Sequence, residues 1–300
     1  MTTVPAAGGV VPVDKPAGPT SHDVVDAARR GLGMKRVGHT GTLDPFASGL
    51  LLLCLGPATR LAEFLTGLPK TYRARVRLGV STTTDDLDGA VLSTSDAWRG
   101  LSADDLERAL APLRGPILQT PPPFSAKKVG GESAHYRARR GEHVVLTPVQ
   151  VEVFALEALG WDPPWLELDV RCSSGTYVRA LARDLGEALG TGAHLDALRR
   201  TAIGDFVVAG ALRIDELADP AAVGRVLLTP AESIAHLPLV VVDADAVARL
   251  AHGEAIALDP GSDVAVGGPV AVLSARALVA VASREGDRLL PRKVFVGAAP

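Results

Sequence analysis

The sequence of 300 residues contains no apolar run that approaches the roughly 20 residues needed for a membrane-spanning helix. Its N-terminus also lacks the basic region and following apolar segment that are typical of an export signal. Both absences argue against a membrane-spanning or exported protein. We therefore expect a soluble protein that functions in the cytoplasm.

Cysteine is scarce as well, and the chain has Cys54 and Cys172 as its two examples. Each lies in an apolar, strand-like segment, which indicates a small buried thiol rather than a disulfide or a metal ligand. The seven histidines are dispersed, and no pair would lie on one helix face beside a third ligand. Dinucleotide-binding and phosphate-loop motifs are also missing. The sequence thus predicts neither a metal site nor a cofactor.

Residues 38–49 read Gly-His-Thr-Gly-Thr-Leu-Asp-Pro-Phe-Ala-Ser-Gly and place Asp44 in a glycine-rich turn before the apolar run 50–55. Glycine allows positive φ or close approach to a ligand, and Pro45 fixes φ after the acid. A stiff loop that presents a carboxylate beside a core strand predicts a reactive acid. The alternative is an Asx-type turn, in which Asp44 only bonds nearby backbone amides.

Strands and helices are mixed along the chain without regular βαβ repeats. Apolar side chains alternate with arginines from residue 72 to 80, and residues 166–172 have the same period, which predicts two strands with one buried face each. A hydroxyl followed by an acid three residues later predicts helix starts at Thr20 and Ser102, and a further helix follows Gly175. These patterns predict an α+β protein with a mixed, largely antiparallel sheet.

The length of the chain exceeds that at which a single core usually stops growing, so we expect two domains. Residues 1–236 would form the α+β domain, in which residues 220–230 are interpreted as a connector. From Leu237 onward, valine-rich segments separated by Asp-Pro-Gly and Gly-Gly-Pro turns predict a small β-rich module over residues 237–300.

Several sequence blocks are each weak evidence for a protein family, but their occurrence together in one order is specific. They are residues 13–16 (Val-Asp-Lys-Pro), 20–23 (Thr-Ser-His-Asp), 38–49, 70–72 (Lys-Thr-Tyr), 79–85 (Gly-Val-Ser-Thr-Thr-Thr-Asp), 125–131 (Ser-Ala-Lys-Lys-Val-Gly-Gly) and 172–179 (Cys-Ser-Ser-Gly-Thr-Tyr-Val-Arg). Together they resemble the bacterial tRNA pseudouridine-55 synthases. The resemblance implies the pseudouridine-synthase fold, with a central cleft in a long mixed sheet, and isomerisation of a uridine in the T arm of tRNA. It also implies a C-terminal PUA-like RNA-binding domain, for which a plain stabilising β-domain is the alternative.

The resemblance gives Asp44 the role of the nucleophile, which would attack either ribose C1′ or uracil C6 of a flipped-out nucleotide. A carboxylate shielded from water tends towards a raised pKa, so a nearby cation is needed to keep it ionised. Arg179 is the candidate, because the family pairs this arginine with its aspartate and a helix start would project it together with Tyr177. Tyr72 is expected to stack on the uracil near its C5 proton. The alternatives are a surface position for Arg179 and core packing for Tyr72.

Three further positions match substrate-binding positions of the family. His39 would help to keep the target nucleotide out of its stack, Arg60 would lie near the RNA backbone, and Leu198 would form the apolar wall of the uracil pocket. Each residue has a simpler interpretation from the sequence alone. His39 could be a turn residue, Arg60 a solvated helix charge and Leu198 a core residue.

The formal net charge of −3 means that RNA must be held by local basic patches. Between residues 114 and 140, basic side chains outnumber acidic ones; the basic residues are Arg114, Lys127, Lys128, Arg137, Arg139 and Arg140, and the acid is Glu132. The family has an insertion at about 119–148 that grips the RNA, so Lys127 and Lys128 are predicted to bind the substrate. A solvated charged face is the alternative.

An acidic run precedes Gly89 and consists of Asp85, Asp86 and Asp88. It resembles a metal cluster only superficially, since such runs usually cap a turn. We therefore assign these acids to a turn and not to the site.

The compact chain favours a stand-alone enzyme that binds tRNA, needs no protein partner and acts as a monomer. An RNA-folding activity on the same surface is a further expectation. Two alternatives are an RNA-binding protein without turnover, and a relative that modifies another RNA or works within a guide-RNA complex.

Overall fold

The computed structural model describes residues 4–6, 8–122, 124, 140, 146–258 and 264–295, and the backbone of residues 128–129 and 132–133. The helices are α1 (Ser21–Leu32), α2 (Ala62–Thr66), α3 (Ala103–Leu110), α4 (Val178–Ala188), α5 (Pro220–Val226), α6 (Pro230–Ser233) and α7 (Ala244–Ala251). Within these residues, no helix is both long and apolar enough to cross a membrane.

The strands β1 to β10 are β1 (Gly9–Lys15), β2 (Val37–His39), β3 (Ser48–Leu55), β4 (Lys70–Leu78), β5 (Val80–Thr82), β6 (Val91–Thr94), β7 (Gly115–Gln119), β8 (Lys128–Val129), β9 (Glu132–Ser133) and β10 (Val149–Asp162). The strands β11 to β19 are β11 (Trp165–Cys172), β12 (Ala193–Ile203), β13 (Phe206–Val207), β14 (Leu212–Arg213), β15 (Leu239–Val241), β16 (Ile256–Ala257), β17 (Pro269–Ser274), β18 (Ala277–Glu285) and β19 (Arg288–Val294).

A ten-stranded sheet organises the larger part of the molecule. Its order is β14-β1-β3-β12-β4-β11-β10-β7, with β2 paired to β3 and β13 paired to β12. Most neighbours are antiparallel, whereas β1 with β14 and β3 with β12 are parallel. The prediction of a mixed, largely antiparallel sheet is confirmed.

The predicted strand from residue 72 to 80 is present as β4, and its residues alternate between buried and exposed. It ends at Leu78, two residues earlier than predicted. Gly79 explains this end, because its φ of +84° lies in the left-handed region and turns the chain into β5.

The predicted helix starts are confirmed at α1 and α3. Thr20 accepts a hydrogen bond from the Asp23 amide, and the Asp23 carboxylate accepts one from the Thr20 amide. Ser102 and Asp105 make the same reciprocal pair at α3. Such capping boxes satisfy amide groups that have no partner within the helix.

The two halves of the large sheet meet at β3 and β12, which share just two register pairs. Gly49 allows this close approach, because its φ is +106° and an added Cβ would lie 2.2 Å from the Arg200 carbonyl oxygen. A separate apolar core lies on each side of the junction, one built around β4, β11 and α4 and the other around β1, β3 and α1. The narrow junction therefore separates two packed halves.

The C-terminal part forms a five-stranded sheet in the order β15-β17-β18-β19-β16. The predicted β-rich module is thus present, and α7 packs on its core through Leu250. A further apolar cluster joins this module to the segments that directly follow β3 and α6; its buried members are Ala58, Leu61, Ile234, Ala271, Leu278 and Val281.

Some expectations fail. Residues 220–230 are not a plain connector, because α5 lies within them and α6 begins at Pro230; Asp219 and Thr229 cap these helices. The strands β10 and β12 were not predicted from the sequence. In β12 the buried polar residues His194 and Arg200 interrupt the apolar alternation that identifies a strand.

Candidate active site

A cleft of about 690 Å³ opens where the two halves of the large sheet meet. Its volume lies in the range of pockets that bind small organic groups. The lining comes from residues 20–22, 39, 41–45, 66, 70, 72, 124, 173–179, 198 and 200. The structure therefore brings together six of the predicted site residues: His39, Asp44, Tyr72, Tyr177, Arg179 and Leu198.

Two charged groups of side chains stand at this cleft. The carboxylate cluster consists of Asp44, Asp86 and Arg179. The tyrosine cluster consists of Lys70, Tyr72 and Arg200, all of which line the cleft.

Asp44 is presented by a loop that several hydrogen bonds hold in place. The Gly18 amide donates to the Pro45 carbonyl at 2.8 Å, and the Lys15 ammonium donates to the same carbonyl at 3.4 Å. On the other side, the Leu43 amide donates to Ser21 Oγ at 2.8 Å. These bonds fix the backbone on both sides of the carboxylate, as expected for a rigid loop.

Arg179 lies in the first turn of α4 and is buried. Its Nε is 3.0 Å from Asp44 Oδ2, and its Nη1 is 3.1 Å from Asp86 Oδ2. Further bonds run from Nη1 to the Thr84 carbonyl at 3.1 Å and from Nη2 to the Phe124 carbonyl at 2.9 Å. The guanidinium is thereby fixed in one orientation, with one edge directed at Asp44.

Burial raises the pKa of Asp44 above its usual value, and this effect exceeds the lowering caused by Arg179. The charge of Asp86 raises the pKa further, whereas Lys15 lowers it. The Asp44 side chain still has 37% of its surface exposed, so a substrate in the cleft can reach it. Arg179 acts in the expected direction, but it does not bring the pKa of Asp44 below that of a free aspartate.

The assignment of the acidic run to a turn alone is wrong. Asp86 does accept a hydrogen bond from the Asp88 amide at 3.1 Å, as a turn-capping acid would. Its other carboxylate oxygen, however, pairs with Arg179, and Asp85 pairs with Arg183 at 2.9 Å. Both pairs join sequence positions more than 90 residues apart. No local pattern could have shown these pairs.

Tyr72 lies in β4 and is 8% exposed, so it contributes to the core as well as to the cleft. Burial is the largest effect on its pKa and raises it. The charge of Arg200 acts in the opposite direction. Both interpretations of Tyr72, core packing and a place at the site, therefore describe its position.

Three buried cations near Asp44 were not assigned to the site from the sequence. Arg200 and Lys70 belong to the tyrosine cluster, and Lys15 supports the Asp44 loop. Burial lowers the pKa of Lys15 and of Lys70 to about 8 each. The Lys-Pro and Lys-Thr-Tyr blocks of the sequence were the available signals for the two lysines, whereas Arg200 had none beyond its place next to Leu198.

Tyr177 and Leu198 also line the cleft. Tyr177 is the N-cap of α4, and its backbone exchanges two hydrogen bonds with the buried Gln119 side chain, at 2.8 and 3.1 Å. Leu198 is 9% exposed and offers an apolar surface next to Tyr72. The side chain of Gln119 therefore fixes the start of α4 from outside the helix.

His39 ends β2 at the cleft, and its Nδ1 accepts a hydrogen bond from the Gly41 amide at 3.3 Å. Burial lowers the pKa of His39, and the charge of Arg200 lowers it further. The neutral imidazole is therefore favoured at neutral pH. The residue is both a turn residue and part of the cleft lining.

The structure does not bring Arg60 into the cleft. Its Nη1 donates to the Val294 carbonyl at 2.6 Å, and its guanidinium lies 5.1 Å from the centre of the Phe295 ring. Arg60 thus contacts the end of the C-terminal sheet, and a contact with RNA stays a prediction. Lys127 lies outside the described residues, and of Lys128 only the backbone is described, so their role also stays a prediction.

Comparisons with known families agree with this geometry. The family model described as TruB family pseudouridylate synthase (N terminal domain) matches residues 29–178, and the one described as tRNA pseudouridylate synthase B C-terminal domain matches residues 179–235. A tRNA pseudouridine synthase B of Parasynechococcus marenigrum is 47% identical over 291 residues, which cover 96% of this chain and 97% of that protein. The enzyme of the same name from Xanthomonas axonopodis is 43% identical over 96% of this chain and 94% of its own.

Solved structures are similar as well. A chain in the structure of an H/ACA RNP bound to a substrate RNA containing 2′-deoxyuridine superimposes with a TM-score of 0.76 at 25% identity, over 97% of this chain and 86% of that one. A chain of the archaeal box H/ACA sRNP Nop10-Cbf5 complex gives a TM-score of 0.74 at 26% identity, over 97% and 87% of the two chains.

Proposed function

Because the chain belongs to the TruB family of pseudouridylate synthases, we propose that it converts the uridine at position 55 in the T arm of tRNA into pseudouridine, with Asp44 as the nucleophile. The family, the pseudouridine-synthase fold with a PUA-like module and the enzyme class predicted from the sequence are confirmed. The chain is an isomerase that forms pseudouridine in tRNA. Beyond this activity, we propose the position of the target in the T arm and the roles of the individual site residues.

The observation that carries the proposal is the ion pair of Asp44 and Arg179 at 3.0 Å, beside Tyr72 in one cleft. Pseudouridine forms when the N1–C1′ bond breaks, the uracil turns and C5 bonds to C1′. The reaction has no net oxidation, and it needs an ionised nucleophile and a closed pocket that retains the detached base. The exposed edge of Asp44 can supply the nucleophile, and the Tyr72 ring and Leu198 can enclose the base.

The target nucleotide must leave its stack to reach Asp44, which costs a few kcal/mol. His39 stands at the cleft where the neighbouring bases would lie, and its favoured neutral form can stack without the cost of burying a charge. Tyr177 would contact the same nucleotide from the start of α4. We assign both residues to substrate binding on this basis.

We further propose that residues 1–236 form the catalytic domain and residues 237–300 an RNA-binding domain. The basic stretch within residues 114–140, including Lys127 and Lys128, would hold the RNA backbone. Replacing Lys127, Lys128, Arg139 and Arg140 with glutamine should then weaken tRNA binding and flatten its dependence on salt, because fewer counterions are released. An unchanged salt slope would contradict this assignment.

A monomer that needs no protein partner is part of the proposal, because this chain itself supplies Asp44, Tyr72 and Arg179 to the cleft. An RNA-folding activity is part of it too, because extrusion of a base requires the tRNA loop to open and close again. The folding activity should persist in Asp44→Asn, which keeps the binding surface. Annealing of a misfolded tRNA in the presence of that variant would be the measurement.

The central test uses purified protein, unmodified tRNA and mass mapping of pseudouridine. The proposal expects one pseudouridine in the T arm, and no product when that uridine is replaced by cytidine. Product at another position would overturn the T-arm assignment but not the enzyme class. Product from Asp44→Asn at the normal rate would overturn the assignment of the nucleophile.

A further inference from the structure

Arg183 lies one helical turn after Arg179 in α4, so the two side chains leave the same face of the helix. Arg183 Nη1 lies 2.9 Å from Asp85 Oδ2, and Arg183 Nη2 donates to the Thr120 carbonyl at 2.9 Å. Asp85 belongs to loop 84–86, and Thr120 directly follows the last residue of β7. Arg183 therefore links loop 84–86 to the chain that follows β7.

Arg179 makes a parallel link between the same two segments. Its Nη1 bonds to two oxygens of loop 84–86, and its Nη2 donates to the Phe124 carbonyl in the chain that follows β7. The guanidinium of Arg179 also has its Nε edge directed at Asp44. The orientation of that edge thus depends on where the two segments lie, and Arg183 ties these segments together.

Asp85 is held in an unusual conformation by this link. The residue is 8% exposed, and its φ of +61° lies in the left-handed region, which is uncommon for residues other than glycine. Burial raises the pKa of the Asp85 carboxyl, and the charge of Arg183 opposes this rise. The Asp85 carbonyl also accepts a hydrogen bond from the Leu195 amide in β12 at 3.0 Å. Main chain and side chain together therefore fix the position of loop 84–86.

Arg183 has no direct access to the substrate. In the part of the chain that the structure describes, Arg179 lines the cleft, whereas Arg183 does not. All three guanidinium nitrogens of Arg183 have partners within the protein, since Nε also donates to Asp184 at 2.9 Å. A lysine could not replace this arrangement, because its side chain offers a single nitrogen. The contacts of Arg183 thus serve the protein itself rather than the RNA.

We infer that Arg183 is a positioning residue for the reaction and that, together with Asp85, it holds the two segments that orient Arg179 against Asp44. The inference rests on the proposed function. Arg183 makes and breaks no bond of the substrate, and it acts by keeping Arg179 Nε at 3.0 Å from the carboxylate of the nucleophile. Loss of Arg183 should therefore slow the chemical step and leave the binding of tRNA unchanged.

The first test compares rate with affinity. For Arg183→Met we expect the single-turnover rate at saturating tRNA to fall about tenfold, since a misplacement of about 1 Å in an active site costs up to about 10²-fold. The Kd for tRNA should not change. Arg183→Lys should lose less of the rate, because a lysine keeps a cation beside Asp85 but has one nitrogen for the two links.

Arg108→Met is the matched control. Arg108 is also a helix arginine that pairs with an aspartate, Asp105, but it lies in α3 and its side chain is 72% exposed. This substitution should leave both the rate and the affinity for tRNA unchanged.

The second test separates positioning from a loss of folded protein. If Arg183 acts through Arg179, then Arg183→Met should slow the Arg179→Leu variant no further, because the two side chains act as a unit. A smaller fraction of folded protein would instead reduce the rate by the same factor in both backgrounds. Circular dichroism at the assay temperature measures the folded fraction of each variant.

An unchanged rate in Arg183→Met would overturn the inference, and so would a loss of rate that persists in the Arg179→Leu background. A loss of tRNA affinity would overturn it as well, because Arg183 would then contact RNA. If Arg183→Met does not fold, Arg183→Lys in the two backgrounds decides by the same criteria. A wild-type protein that forms no pseudouridine in tRNA would reject the proposed function instead.

Discussion

Arg179 and Arg200 line the same cleft, yet their charges are balanced in different ways. Arg179 lies between the carboxylates of Asp44 and Asp86, whereas the hydrogen bonds of Arg200 go to main-chain carbonyls. The carboxylate cluster therefore balances positive charge with negative charge, and the tyrosine cluster carries positive charge from both Arg200 and Lys70. The role of a buried arginine thus depends on its partners rather than on its own chemistry.

This difference suits two kinds of chemistry. In the carboxylate cluster, Arg179 moderates a pKa that burial raises, so that a nucleophile can exist as an anion in a protected place. In the tyrosine cluster, burial raises the pKa of Tyr72, and the charge of Arg200 opposes this rise. Three of the substitutions below change the carboxylate cluster, and the fourth changes an arginine outside both clusters.

Asp44→Asn should have the largest effect, because it removes the nucleophile while keeping the size of the side chain. We expect pseudouridine formation to fall by more than about 10⁴-fold, as is typical when a nucleophile is removed. Single-turnover assays with tRNA would measure this. The nearby exposed acid provides the control: Asp88→Asn should stay close to the wild-type rate, and a similar loss in both variants would count against a special role for Asp44.

Arg179→Leu should come next, with a loss of about 10² to 10³-fold in rate, in line with the removal of one electrostatic contact in other active sites. Without Arg179 the pKa of Asp44 rises further, so the acid limb of the rate profile should move to higher pH. The raised pKa of Asp44 also affects the stability of the fold. Because the pKa of Asp44 is raised in the folded state, the contribution of Asp44 to the free energy of unfolding is present below the pKa of the unfolded state. This contribution is lost as the pH rises through the pKa of the folded state. An unmoved acid limb would contradict the pairing.

Asp86→Asn should act on the same limb in the opposite direction. The charge of Asp86 raises the pKa of Asp44, so its removal should move the acid limb to lower pH. Arg179 loses one of its anchors, for which we expect a rate loss of about tenfold, or about 1.4 kcal/mol. The pH–rate profiles of Asp86→Asn and Arg179→Leu, measured side by side, check this prediction. Shifts of the two acid limbs in the same direction would show that Asp44 and Asp86 do not compete for Arg179.

Arg60→Met should have the smallest effect, because Arg60 is a partly buried arginine outside both clusters. It loses the hydrogen bond to the Val294 carbonyl and the contact with the Phe295 ring, so the free energy of unfolding should fall by about 1 kcal/mol. Urea unfolding would measure this. A fall in tRNA affinity without a change in stability would instead show that Arg60 contacts RNA.

Much of the fold and part of the site were predictable from the sequence. The alternation in β4, the caps of α1 and α3 and the glycine-rich loop around Asp44 are local patterns, and each indicates a local structure. Asp86 and Arg200 were not predictable, because their partners lie 93 residues away at Arg179 and 159 residues away at Gly41. Their sequence neighbours also offered a simpler interpretation, which was a turn for Asp86 and, beside Arg200, a core residue at Leu198.

The pairing of β3 with β12 affects when the cleft can form during synthesis of the chain. Ser48 and Arg199 pair across the junction although about 150 residues separate them in the sequence. Contacts of such separation form late in folding, since the intervening chain must first be ordered. On the ribosome, a chain that has been synthesised only as far as α4 would already contain Asp44, Tyr72 and Arg179, but it would lack the strand that closes the cleft. A nascent chain would therefore be unable to engage tRNA until β12 has emerged and paired.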